Sequence, residues 1–179
     1  ALKMALQYFK NQGIPRRKIL AFNKGFHGET FGARAVGNAL ENIDELCKGV
    51  FDITFINPPL TGLGRSPLDE MEKVLEQKND YACFIFEPMV QGVAGMCMQD
   101  AEILDQMIKL AKEKGILCIA DEVMTGFGRT GKMFAIDHLK NKPDIVCMAK
   151  ALTGGTLPLA LTLCTQEVYS AFYSNDPSK

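Results

Sequence analysis

At 179 residues, 47% of them hydrophobic and with a formal net charge of −1, the chain is long enough for one domain with a sizeable core. That charge balance offers no handle for nucleic acid, and no apolar run approaches the roughly 20 residues that span a bilayer, so a soluble, cytoplasmic protein is expected. The six cysteines form no CxxC pair, and Cys83, Cys118, Cys147 and Cys164 sit in apolar runs as small hydrophobes, which argues against a disulfide framework or a zinc site.

The first segment, ALKMALQYFKNQG, reads as an amphipathic helix with no signal-peptide layout and no N-cap residue. Its uncapped start implies a helix that belongs to a larger domain. After the Gly13-Ile14-Pro15 break, residues 18–23 form a short strand that leads into GFHGETFG at 25–32. Glycines around an aromatic pair there imply close backbone approach, followed by a helix beginning near Glu29. A second strand is expected over 52–57, a helix over 67–78, and a third strand over 81–86 that ends in Glu87-Pro88. The loop VQGVAGM follows, then a helix over about 100–114 that Gly115 stops.

Residues 116–120 and 145–149 are short apolar runs with the length and β-branched content of buried strands. The first ends in Asp121-Glu122 and the second in Lys150. A Gly-rich loop and a short helical pattern from Met133 to Leu139 lie between them, the outline of a βαβ unit with parallel strands. A last strand over 159–165 and a helix over 166–173 complete the alternation. The expected fold is therefore α/β and layered, with a mostly parallel sheet. Ligands of such sheets bind at the C-terminal edge, where Glu87, Asp121 and Lys150 all fall.

Charge at the end of a buried strand is costly unless it is used or paired. Glu87 and Glu122 are open to two readings, as functional acids or as caps and ion-pair partners. Lys150 has little room to snorkel between five apolar residues and Ala-Leu-Thr-Gly-Gly, so desolvation is expected to favour its neutral, nucleophilic amine. The run GFGRTGK at 126–132 matches GxxxxGK, but Met133 stands where a phosphate-binding loop needs Ser or Thr for Mg²⁺, and the loop starts several residues after its strand. An Asp and a Lys across one βαβ unit suit pyridoxal phosphate better. That cofactor takes a lysine on its aldehyde and an acid beside its pyridine nitrogen, roles that Lys150 and Asp121 can fill. Lys150 can also move a proton at the substrate carbon as general base and acid.

Four stretches, GFHGETFG, FIFEPMVQGVAGM, IADEVMTGFGRTGKMFA and PDIVCMAKALTGG, together resemble the class III pyridoxal-phosphate-dependent aminotransferases of fold type I. The likeness covers nearly the whole chain, and the run KALTGGT followed by LPLALT narrows it to one branch of the family. The resemblance implies that residues 1–179 are the central part of a three-layer large domain, with flanking N- and C-terminal segments outside the chain. It implies a homodimeric enzyme acting on a small-molecule amino donor and a keto acceptor.

By that resemblance Lys150 is the Schiff-base lysine and Asp121 the partner of the pyridine nitrogen. Val123 packs on one ring face and Phe26 on the other, with His27 near the ring and Glu87 in the same site. Phe26 and Lys150 also meet substrate. The alternative for Phe26 and His27 is that they line the core. Phe26 replaces the Tyr usual in this branch, which keeps stacking and removes a hydroxyl. Val93 and Met124 stand where many ω-amino-acid transaminases carry Glu and Gln, which argues against their specificity and leaves the partner of the cofactor O3′ unassigned. The resemblance places the phosphate-binding segment before Ala1 and the substrate-binding arginine after Lys179. The chain alone is thus expected to be inactive.

Overall fold

The computed structural model describes residues 1–39, 47, 49–77 and 80–176. A six-stranded sheet in the order β2-β1-β3-β6-β7-β8 forms its centre. The strands are β1 (Lys18–Phe22), β2 (Ile53–Ile56), β3 (Tyr81–Phe86), β6 (Leu117–Asp121), β7 (Ile145–Met148) and β8 (Leu161–Cys164), and a two-stranded hairpin adds β4 (Val90–Gln91) and β5 (Cys97–Met98). All pairings from β2 through to β7 are parallel, and only the edge strand β8 runs antiparallel. The α/β reading of the sequence therefore holds.

Period-2 alternation sends one face of each strand to each layer. Leu20 and Phe22 of β1, Phe84 and Phe86 of β3, and Cys118 and Ala120 of β6 join α3 (Ser66–Gln77) and α4 (Ala101–Glu113) in one core. Ile19, Ala21, Ile85, Leu117 and Ile119 face the opposite way, against α1 (Leu2–Asn11) and α5 (Gln166–Ser170). Ala82 and Cys83 break the alternation by both joining the second core. The cause is a register shift in which Lys18 pairs with Tyr81 but Ile19 with Cys83, so Ala82 is an extra residue in β3.

Local signals account for the helix ends. Asp100 caps α4 by accepting from the backbone N–H groups of Glu102 and Ile103, and Gly115 ends it at a φ of 67°. The short helix α2 (Phe31–Ala35) begins slightly later than Glu29, and α5 stops at Ser170 instead of continuing to 173. The helical pattern expected over Met133–Leu139 proves to be one 3₁₀ turn, Ala135–His138. Asp137 accepts from the Phe134 N–H and the Lys142 ammonium takes the carbonyls of Ile136 and Leu139, so the backbone is satisfied without a further turn. All six cysteines are free, and burial pushes the Cys83 thiol up to about 12.

Arg16 ties three elements at the edge away from the strand C-termini. Its guanidinium donates to the carbonyls of Gly115 (2.7 Å), Lys114 (3.0 Å) and Tyr81 (3.3 Å) and lies over the Phe9 ring. It thereby satisfies the carbonyl end of α4, where a cation also meets the helix dipole favourably. Arg16→Ala should lower stability by about 2 kcal/mol, and Arg16→Lys should restore only part of it because an ammonium lacks the planar fork. Chemical denaturation midpoints of the three proteins check this; equal midpoints would show that the fork contributes nothing.

Candidate active site

Parallel pairing sets the C-terminal ends of β1, β3, β6 and β7 side by side, and each strand hands over to a chemistry-bearing segment. Strand β1 leads to Phe26 and His27, β3 to Glu87, β6 ends on Asp121, and β7 leads through Ala149 to Lys150. Residues separated by more than 120 positions in sequence are so brought to one edge.

Asp121 is 7% exposed and pairs in register with Cys147, three residues before Lys150. Its Oδ1 accepts from the Val123 N–H at 3.1 Å and its Oδ2 meets His27 Nδ1 at 2.8 Å. A carboxylate only accepts, so Nδ1 is the donor and the imidazole is fixed in orientation. The His27 side chain is 3% exposed, and its Nε2 is buried with no hydrogen-bond partner among the described residues. Phe26 is half-buried and belongs to neither core cluster. His27 is hydrogen-bonded to Asp121.

Glu87 is 6% exposed, and both its oxygens are held by backbone: Oε1 accepts from Phe26 N–H at 3.1 Å and Oε2 from Gly92 N–H at 2.9 Å. Burial pushes its carboxyl up, the Gly92 and Phe26 donors and nearby His27 pull it down, and Asp121 adds to the upward push, leaving it above the ordinary range. Glu122 is completely buried, and each of its oxygens accepts one bond, from the Ile136 N–H at 2.8 Å and the Thr125 hydroxyl at 2.5 Å. It braces the loop after β6, the structural one of its two readings. Gly126 is needed in that loop, because its N–H closes onto the Glu122 carbonyl and a Cβ would stand 2.9 Å from the same oxygen.

The Gly-rich run after it spends its donors internally. Gly128 N–H reaches the Met133 carbonyl, Gly131 N–H the Gly128 carbonyl, and Lys132 Nζ the Asp137 carbonyl at 2.8 Å. Such a loop has no open ring of amides for a nucleotide phosphate.

Lys150 departs from its expectation in one respect. It is exposed, at the mouth of a cleft of about 660 Å³ lined also by Ala149, Thr153, Gly155, Leu157 and Pro158, so the described residues do not desolvate it. What the sequence could not show is its backbone, which adopts a φ of 43° and opens the 3₁₀ turn Lys150–Leu152. A side chain in this left-handed region costs on the order of 1–3 kcal/mol and is retained where a position is over-determined by its surroundings. A larger cleft, about 870 Å³, lies at the opposite strand edge between α1 and residues 13–17 and 50–52, and it contains none of these groups.

A buried carboxylate, an imidazole fixed on it, a half-buried aromatic residue next to that imidazole in sequence and a lysine in the turn after the adjacent strand form a set that fits pyridoxal phosphate. The class so defined is that of α/β enzymes built around this cofactor. The chain belongs to the class III aminotransferases, whose family model matches residues 1–178. The protein named adenosylmethionine-8-amino-7-oxononanoate aminotransferase from Synechococcus elongatus is 43% identical over 184 residues, covering 99% of this chain and 43% of the relative. The protein of the same name from Staphylococcus aureus is 38% identical over 190 residues, covering 98% and 42%. The crystal structure of the one from Methanocaldococcus jannaschii superposes with a TM-score of 0.84 at 40% identity, over 97% of this chain and 40% of that one. The chain thus spans well under half the length of the relatives it matches.

The upward shift at Glu87 predicts a pH signature. An acid whose folded pKa lies above its unfolded value contributes stability that is full below the ordinary glutamate range and is lost as pH rises through the shifted value. Stability measured across that window should therefore fall with rising pH in the native protein and fall less steeply in Glu87→Gln. Parallel curves would show that Glu87 is not shifted.

Proposed function

We propose that residues 1–179 are the central part of the large cofactor-binding domain of a homodimeric, cytoplasmic aminotransferase of biotin biosynthesis. It transfers an amino group from S-adenosylmethionine or lysine to 8-amino-7-oxononanoate. The names of the relatives support the acceptor, and their greater length supports the assignment to part of a domain. The observation that carries the reading is the buried Asp121–His27 pair at the end of β6 with Lys150 in the turn that follows the neighbouring strand.

Bound there, pyridoxal phosphate supplies an electron sink for a carbanion at the substrate carbon. The chain's own residues do the rest. Asp121 would supply the negative charge that keeps the ring nitrogen protonated, and His27 holds that carboxylate by one oxygen while the Val123 amide holds the other. Phe26 and Val123 would pack against the faces of the cofactor ring. Lys150 is the residue that would hold the cofactor through Nζ, and its amine could take and return a proton at the substrate carbon. Glu87 belongs to the site through the loop it fixes. Met124 and Val93 carry neither an amide nor a carboxylate, so these two positions do not supply the amide or acid of the ω-amino-acid enzymes.

Two substitutions in the full-length protein test the assignment. Lys150→Ala should abolish the borohydride-stable attachment of cofactor to the polypeptide; an adduct recovered on Lys132 or any other lysine would reassign the nucleophile. Asp121→Asn should leave cofactor bound, more weakly, while the half-reaction with amino donor slows by orders of magnitude. A near-normal rate in single-turnover measurements would mean that another acid serves the ring nitrogen. Turnover assays with S-adenosylmethionine and with lysine separate the two donors.

A further inference from the structure

Glu87 is a buried acid that the reaction does not use directly, and its surroundings give it a different task. Pro88 follows it and Met89 adopts a φ of 68°, so the chain reverses at once into the β4–β5 hairpin. The reversal returns Gly92 to the Glu87 carboxylate within five residues. The other carboxylate oxygen receives the Phe26 amide from the loop after β1, 61 residues away. Gln99, beyond β5, donates to the Glu87 carbonyl at 3.0 Å, and Gln91 donates to the Asn23 carbonyl at 3.0 Å. The hairpin and the aromatic loop are thus stitched together at two points, and Glu87 is the charged one. Among the described residues it forms no ion pair. With one backbone amide on each oxygen, its carboxylate is engaged in holding two segments of chain.

We infer that Glu87 is a positioning residue that pins residues 25–28 to the β4–β5 hairpin and so fixes where Phe26 and His27 stand at the strand-end crevice. Two features extend its reach. His27 bonds Asp121, so the loop that Glu87 anchors also orients the acid of the site. Met124, from the segment after β6, packs on Gly92, the second residue that Glu87 holds. Three strand-end segments are therefore mechanically joined through one side chain. A neutral glutamine keeps one acceptor and replaces the other with an N–H donor facing an N–H, so it restores one of the two attachments. What the positioned residues meet rests on the cofactor reading above; that they are positioned does not.

The test uses the full-length protein and its Glu87→Ala and Glu87→Gln variants. In the cofactor-free proteins, amide hydrogen exchange over 24–28 and 90–93 should be about tenfold or more faster in Glu87→Ala, with Glu87→Gln between, while α4 exchanges as before. With pyridoxal phosphate bound, the visible circular dichroism per unit absorbance should drop and kcat should fall about tenfold with little change in KM, because the ring is held less well while substrate still binds. Wild-type exchange in both segments of Glu87→Ala overturns the inference. So does faster exchange with unaltered dichroism and kcat. If the alanine variant does not fold, loosening of one segment in Glu87→Gln supports the inference and its absence overturns it. Failure of the wild-type protein to take up cofactor would sink the aminotransferase reading, and the exchange experiment would still decide whether Glu87 pins the loop.

Discussion

Parallel pairing of β1, β3, β6 and β7 is the constraint on which the site depends, since it alone brings four strand ends to one edge. A hydrophobic sheet can make that edge, but it cannot by itself hold the loops that leave it. Here the loops are held by buried carboxylates. Asp121 ties β6 to the loop after β1 through His27, and Glu87 ties β3 to the same loop through the Phe26 amide. Each carboxylate costs free energy to bury, and each is offset by charge-assisted bonds to imidazole or backbone donors. The segment after β1 is the common partner. Phe26 and His27 are therefore located by two different strands and not by their own short turn.

Much of this was legible because strand ends are abrupt. An apolar run that stops in Asp or Lys marks both a buried strand and a charged edge, so Asp121 and Lys150 stood out before any coordinates. The α/β alternation was readable for the same reason of periodicity, and the Asp100 cap and Gly115 stop located α4 closely. The Asp121–His27 bond was beyond reach because 94 residues separate the partners and no local pattern encodes their meeting. The β4–β5 hairpin was missed since two-residue strands carry no alternation to detect. Over Met133–Leu139 the apolar spacing resembled a helix, yet side chain–backbone bonds from Asp137 and Lys142 satisfied the segment as a single 3₁₀ turn. Burial of Lys150 was inferred from its apolar neighbours in sequence, but the strand ends at Met148 and the lysine lies in a turn beyond it.

The three strand-end acids show why residue type and position alone do not assign a role. Glu122 is the most buried, and its two oxygens are closed by Thr125 and Ile136 within its own loop. Glu87 is closed by backbone from two separate segments, which makes it a fastener between them. Only Asp121 carries a partner that is itself a titratable ring, with one nitrogen of that ring left unmatched in the interior. Each carboxylate has one donor on each oxygen, so what separates the three is where those donors come from, which sequence does not contain. That difference sets Asp121 apart as the acid bonded to an imidazole, while Glu87 and Glu122 are bonded to backbone amides and a hydroxyl that fix the loops around it.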